Sequence, residues 1–214
     1  MTPRVTADQL VCYLVTDTGM CGGRDGVVTT VDAAVRSGVT FVQVRDPDAT
    51  DADLVALGRA VVDVVAGRVP VVMNDRVDLV AAVGAGGAHI GQGDIEPVEA
   101  RRILGPDAIL GLSVQTAEHI AAARELPEGT LDYLGVGPVW SQQTKLDAAE
   151  PGGPELLADA VARSPWPCVA IGGVGPGRVQ AVKQAGAGMA IVSAICAADD
   201  PAAATTQIME EWNQ

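Results

Sequence analysis

The sequence predicts an α/β fold, a (β/α)8 barrel of the TIM barrel class, as a single domain over residues 1–214. Three observations predict it. Eight short apolar runs alternate with eight amphipathic stretches along the whole chain. Most of the runs are nearly continuous in apolar residues, as parallel strands buried on both faces are. A length of 214 residues suits one such barrel at the short end of its size range. An open doubly wound sheet is the alternative. It needs edge strands, and the first and eighth runs look equally buried. No G-x-G-x-x-G opens a helix after a strand, which removes the usual dinucleotide reading.

The strands fall at 10–17, 39–45, 69–75, 88–91, 109–114, 131–137, 168–173 and 189–193. Between and after them, apolar residues recur at three- and four-residue spacing over 27–37, 53–66, 77–83, 96–104, 116–125, 154–163, 176–185 and 201–212, the pattern of a helix with one buried face. Asp51 is a candidate cap for the second helix, and Pro97 and Pro176 sit near first turns. Gly recurs just before strands, as in Ser37-Gly38-Val39 and Ala185-Gly186-Ala187-Gly188, where a helix ends and the next strand begins. No long linker, low-complexity tract or composition shift marks a second domain.

Hydrophobic residues make up 48% of the chain and aromatics only 3%, so Val, Ala, Leu and Ile fill the core. The formal charge is -13. An acidic protein is not drawn to nucleic acid or to an anionic membrane, so neither is expected as a partner. An anionic ligand would need cations placed locally, and only 14 Lys and Arg exist to supply them. Cys12, Cys168 and Cys196 lie in or beside strand runs and read as buried thiols of a reducing compartment, whereas Cys21 stands in a Gly-rich loop. The first nine residues are polar, unlike a signal peptide, and no run approaches the ~20 apolar residues of a membrane span. A cytoplasmic location is expected. The oligomeric state stays open, a homo-oligomer included.

In such barrels the active site lies at the C-terminal ends of the strands. Those ends read Thr16-Asp17, Gln43-Val44-Arg45-Asp46, Asn74-Asp75-Arg76, Gly91-Gln92-Gly93-Asp94, Ser113, Trp140 to Lys145, Gly172-Gly173 and Ser193. Asp75 and Asp94 follow neighbouring strands, about 4.8 Å apart. They read either as a carboxylate pair for Mg2+, a hard cation that joins one or two carboxylates to substrate phosphates, or as caps of the helices that follow. Gly172, Gly173 and Ser193 read as a phosphate seat at strands seven and eight, with bare backbone amides and one hydroxyl donor; a tight turn that needs Gly is the alternative. Arg45 and Lys145 read either as cations for a leaving diphosphate or as surface charges paired with Asp46 and Asp147. His89, inside the fourth strand, reads as a packed and hydrogen-bonded side chain, and His119 as a helix-surface one.

Taken together and in order, these segments resemble the thiamine-phosphate synthase family: Gln43-Val44-Arg45, Asn74-Asp75 with Asp78, Gly87-Ala88-His89-Ile90-Gly91-Gln92 with Asp94, Gly111-Leu112-Ser113, Gly137-Pro138, Thr144-Lys145, Ile171-Gly172-Gly173 and Val192-Ser193-Ala194-Ile195. The resemblance covers nearly the whole chain. It implies that an aminopyrimidine methyl diphosphate (hydroxymethylpyrimidine diphosphate) and a hydroxyethylthiazole phosphate join to give thiamine phosphate and pyrophosphate. It implies Asp75 and Asp94 as ligands of Mg2+ on the diphosphate. Gln43, Arg45, Asn74, Ser113 and Lys145 would bind the pyrimidine diphosphate, with Arg45, Ser113 and Lys145 catalytic. Thr144, Gly172 or Gly173, Val192 and Ser193 would bind the thiazole phosphate. It implies a dissociative substitution, which needs charge neutralisation and positioning rather than a base. Two positions depart from the family: Pro47 stands where it usually has Lys, and Gln142 where it usually has Thr. Arg24, after strand one, is a candidate for the missing charge. Two other readings remain. One is a thiazole tautomerase of the same barrel group. The other is a non-catalytic barrel that binds a phosphorylated ligand.

Overall fold

The computed structural model describes residues 4–141 and 150–214. Eight parallel strands close into a barrel in chain order, each paired with the next and the last with the first. They are β1 (Cys12–Val15), β2 (Phe41–Val44), β3 (Val71–Asn74), β4 (Gly87–Ile90), β5 (Ile109–Val114), β6 (Tyr133–Val136), β7 (Cys168–Ala170) and β8 (Gly188–Ile191). The helices of the described residues are α1 (Arg24–Arg36), α2 (Asp51–Val65), α3 (Val80–Val83), α4 (Pro97–Leu104), α5 (Ala117–Arg124), α6 (Gly153–Arg163), α7 (Val179–Gln184), α8 (Ser193–Cys196) and α9 (Pro201–Trp212). The fold class is the one the apolar runs predict.

Both faces of every strand are covered, and side chains alternate between two cores. One set, including Leu14, Val42, Met73, Ile90, Leu112 and Leu134, packs outward against the helices. The other, including Tyr13, Phe41, Val72, Tyr133 and Val169, fills the barrel interior. Three aromatic rings dominate that interior: Tyr13 and Phe41 lie 4.6 Å apart and Phe41 and Tyr133 5.7 Å apart, centroid to centroid. Glycine makes the space. A Cβ on Gly111 would come within 2.1 Å of the Tyr133 ring.

Six of the eight strands are shorter than their apolar runs, which extend past the ladder into mostly half-buried loop residues such as Arg45, Asp75 and Ile171; β4 and β5 match their runs in length. Thr50, not Asp51, caps α2, its hydroxyl accepting from the Asp53 amide at 3.3 Å. Pro97 does open α4. Pro176 does not open α7, because Gly177 takes a φ of 80° and the helix starts at Val179. Cys12, Cys168 and Cys196 are buried free thiols, and Cys21 is half-buried.

Candidate active site

One cavity of about 510 Å3 opens at the C-terminal ends of the strands, within the usual range for small-molecule sites. Strand ends and the loops behind them supply its walls. Gln43, Arg45, Asn74, Asp75, Asp94 and Ser113 line one side. Gly172, Gly173, Val192 and Ser193 line the other. Ten of the twelve residues singled out from the sequence therefore meet in one space. Thr144 and Lys145 lie outside the described residues, as do Gln142 and Asp147.

Alternation along the strands explains the first group. Gln43, Asn74, His89 and Ser113 share the inward parity of Phe41, Val72, Gly87 and Gly111 one step below, so they cap the apolar filling with polar groups. The registry sets them side by side: Asn74 pairs with His89, and His89 with Gly111. Gln43 donates to Tyr13 and Ser113 meets His89, so both are held from beneath. His89 is almost fully buried. Burial, opposed by the nearby Asp94 carboxylate, pushes its pKa down to about 4, so the ring is neutral at pH 7.

Arg45 is anchored through its backbone: its amide donates to the Thr16 hydroxyl at 2.9 Å. Its guanidinium lies 3.7 Å from Asp17, at the end of the adjoining strand β1, rather than beside Asp46. Arg24 faces elsewhere, pairing with Asp53 of α2 at 2.8 Å. Pro47 lines the cavity.

The carboxylates do not act as helix caps. Arg76 occupies the N-cap position of the 3-10 turn after Asp75, and Glu96 that of α4, neither with a side-chain capping bond. Asp94 instead accepts from the Gly91 amide at 2.7 Å. Asp75 takes a left-handed φ of 58°, accepts from the Asn74 amide group at 2.6 Å, and donates its own backbone N–H to the His89 carbonyl. A non-glycine residue in that conformation is held there by its surroundings. Asp75 and Asp94 thus offer hard oxygen donors to one cavity from neighbouring strands. Among the described residues no three His, Cys, Asp or Glu side chains cluster as a metal cage. Two carboxylates suit an ion that takes its remaining ligands from water and a substrate diphosphate.

The opposite wall is backbone. Gly172 and Gly173 take φ of 94° and 65°. A Cβ on Gly173 would come within 2.7 Å of the Ser141 carbonyl and 2.9 Å of Trp140. The Trp140 amide donates to the Gly172 carbonyl at 3.0 Å, and the Arg178 side chain donates to the Gly173 carbonyl. Beside them stands α8, a four-residue helix that begins at Ser193 and that the sequence reading missed. Four residues carry no measurable periodicity; Ser193 after an apolar run was its one available signal.

This closed barrel, with a polar cavity over its strand ends and glycine and a helix start on one wall, is of the TIM-barrel enzyme class, which frequently carries a phosphate site after strands seven and eight. The model of the thiamine monophosphate synthase family matches residues 12–195, and the chain belongs to that family. It is 46% identical over 197 residues to the thiamine-phosphate synthase of Psychrobacter sp. (strain PRwf-1), covering 92% of both chains. It is 46% identical over 193 residues to that of Azorhizobium caulinodans, covering 89% of each. Among solved structures it resembles the thiamine phosphate pyrophosphorylase of Pyrococcus furiosus, with a TM-score of 0.85, 28% identity and 97% coverage of both chains. A 3-hexulose-6-phosphate synthase, with a TM-score of 0.68 and 20% identity, shares the fold.

Proposed function

We propose that this chain is a thiamine-phosphate synthase, a transferase that moves a pyrimidinylmethyl group from its diphosphate to the nitrogen of a thiazole phosphate. The observation that carries the reading is the two-sided cavity. Its carboxylate, amide and guanidinium side suits a diphosphate, and its glycine and hydroxyl side suits a second, smaller phosphate.

The diphosphate half is assigned to Gln43, Arg45, Asn74 and Ser113, with Asp75 and Asp94 holding Mg2+. Bound there, the ion would neutralise charge on the departing diphosphate. Arg45 adds fixed positive charge on the same side, where charge grows as the bond breaks. The thiazole phosphate is assigned to Gly172, Gly173, Val192 and Ser193, where the first amides of α8 lack partners within the helix. The bond between the pyrimidine methylene and the diphosphate oxygen breaks, and its electron pair leaves on pyrophosphate. The thiazole nitrogen then gives its lone pair to the methylene carbon. No proton moves in either step, which suits a site whose one lining imidazole is buried and neutral. What the chain supplies is orientation and a fixed field.

Thr144 and Lys145 complete the proposal by resemblance. A cytoplasmic location is consistent with the free cysteines. No helix among the described residues is long and apolar enough to cross a membrane.

The test is direct. Protein, both substrates and Mg2+ should yield thiamine phosphate and pyrophosphate in equal amounts, and EDTA should stop the reaction. Absence of both products under all metal conditions refutes the reading. Asp94→Asn should lower turnover at least 100-fold while leaving thiazole phosphate affinity within two-fold; unchanged turnover removes Asp94 from the metal site.

A further inference from the structure

Five side chains from five strands form one continuous hydrogen-bonded chain through the barrel interior. Gln43 Nε2 donates to the Tyr13 hydroxyl at 2.6 Å. The Tyr13 and Tyr133 hydroxyls are 2.8 Å apart. The Tyr133 hydroxyl lies 2.9 Å from His89 Nδ1, and His89 Nε2 lies 2.9 Å from Ser113 Oγ. Both ends, Gln43 and Ser113, line the cavity, while Tyr133 is fully buried. Glycine leaves the room: a Cβ on Gly111 would come within 2.5 Å of His89 Nδ1, and one on Gly135 within 2.9 Å of the His89 ring.

With the Gln43 amide nitrogen facing Tyr13, counting hydrogens sets the rest of the order. Each tyrosine carries one, which burial helps it keep, and a neutral imidazole carries one. With Gln43 donating to Tyr13, Tyr13 donates to Tyr133 and Tyr133 to His89 Nδ1. His89 Nε2–H then donates to Ser113, whose own hydrogen is left for the cavity. Gln43 Oε1 is left as an acceptor. To turn the Gln43 amide over, all five groups must reverse together. A reversal of only one end sets two donors or two acceptors against each other in the buried core, where an unmade hydrogen bond is costly.

We propose that Tyr13, Tyr133 and His89 are positioning residues that set specificity, holding Gln43 and Ser113 as a matched acceptor and donor for an amino-substituted pyrimidine ring. The proposal rests on the synthase reading for its ligand. An aminopyrimidine offers a donor amine and acceptor ring nitrogens. Its oxo counterpart offers an acceptor oxygen and a ring N–H, so it inverts the pattern. A site built on hydrogen bonds rejects a mismatched partner strongly.

The experiment is calorimetric titration of the full chain, in Mg2+ and without thiazole phosphate, with the aminopyrimidine methyl diphosphate and with its oxo analogue. The wild type should prefer the amino compound at least 100-fold in Kd. Tyr133→Phe removes one oxygen, frees the Tyr13 hydroxyl either to accept from Gln43 Nε2 or to donate to Gln43 Oε1, and should narrow the preference below ten-fold. Tyr13→Phe should do the same. Phe41→Leu, which disturbs the same ring packing outside the hydrogen-bonded chain, should keep the wild-type ratio. Thiazole phosphate affinity should stay within two-fold in all of them. No preference in the wild type, an unchanged ratio in Tyr133→Phe, or an equal narrowing in Phe41→Leu overturns the proposal. A wild type that discriminates but forms no thiamine phosphate with both substrates present leaves this inference standing and refutes the synthase reading.

Discussion

His89 is a base in a place with no room for a charge, and that has a measurable consequence. The unfolded chain protonates His89 near the ordinary value of 6.5, and the native chain only near 4. Between those values the unfolded state binds more protons. The stability His89 contributes is therefore complete above about pH 6.5 and is lost as pH falls toward 4. At 1.36 kcal/mol per pKa unit the loss reaches about 3 kcal/mol. Urea unfolding at pH 7 and pH 4.5 should show a larger drop for the wild type than for His89→Gln, and equal drops refute it. That His89 packs and bonds was legible from its place inside a strand run. Its partners were not, since Tyr133 is 44 residues away and nothing local links them. Gly173 makes a second prediction. Gly173→Ala places a Cβ against backbone at 2.7 Å in a left-handed conformation. It should cost about 1–3 kcal/mol of stability and raise KM for thiazole phosphate at least ten-fold. Gly177→Ala has the same kind of φ but open space around it, so it should cost stability alone. Steady-state kinetics and melting of the pair separate strain from loss of the proposed phosphate seat.

At the scale of elements, the strands were legible because burial on both faces leaves a continuous apolar signal, and the long helices because one face repeats. The short pieces were not. The 3-10 turn Ala7–Leu10 and α8 each hold one turn, too little for a period to register. Yet α8 borders the wall proposed to hold the thiazole phosphate. Arg45 shows the same limit: its partner Asp17 comes from the adjoining strand rather than from the next residue in the chain. Helix α8 can be tested with one change whose effects on binding and on stability have opposite signs. Ser193 is the first residue of the helix and is exposed. A carboxylate there interacts well with the positive end of a helix, by about 0.3–1 kcal/mol, but it takes the place and the charge of a bound phosphate. Ser193→Asp should hold or raise the melting temperature and weaken thiazole phosphate binding at least 100-fold. Ser193→Ala should weaken it less than ten-fold. A variant that binds normally would move the phosphate away from α8.

Over the whole molecule, the two ends of the barrel divide the work. The cavity occupies the end where the strands finish, and at the opposite end, where Val5 and Leu10 join the interior core, sits a buried carboxylate. Asp132, just before β6, is almost fully buried. It pairs with Arg4 at 2.6 Å and with Arg101 at 2.8 Å, and accepts from the Leu110 amide at 2.8 Å. It thereby ties the N-terminal segment, α4 and the start of β5 together. Burial lowers the Arg101 pKa, Asp132 opposes that effect, and Arg4 adds to it. Removing the carboxylate charge leaves two partly buried guanidiniums facing each other. Breaking a buried pair in this way costs about 3–5 kcal/mol, more than the pair itself contributes. Asp132→Asn keeps the shape and one acceptor oxygen, so a loss of about 3 kcal/mol in denaturant unfolding is expected. At temperatures where the variant stays folded, KM for both substrates and kcat should remain within two-fold of wild type, because the residues bonded to Asp132, Arg4, Arg101 and Leu110, do not line the cavity. Changes at Asp94 and Gly173 should fall chiefly on binding and turnover. If Asp132→Asn instead alters KM for one substrate at constant fold, the two ends of the barrel are coupled and the division fails.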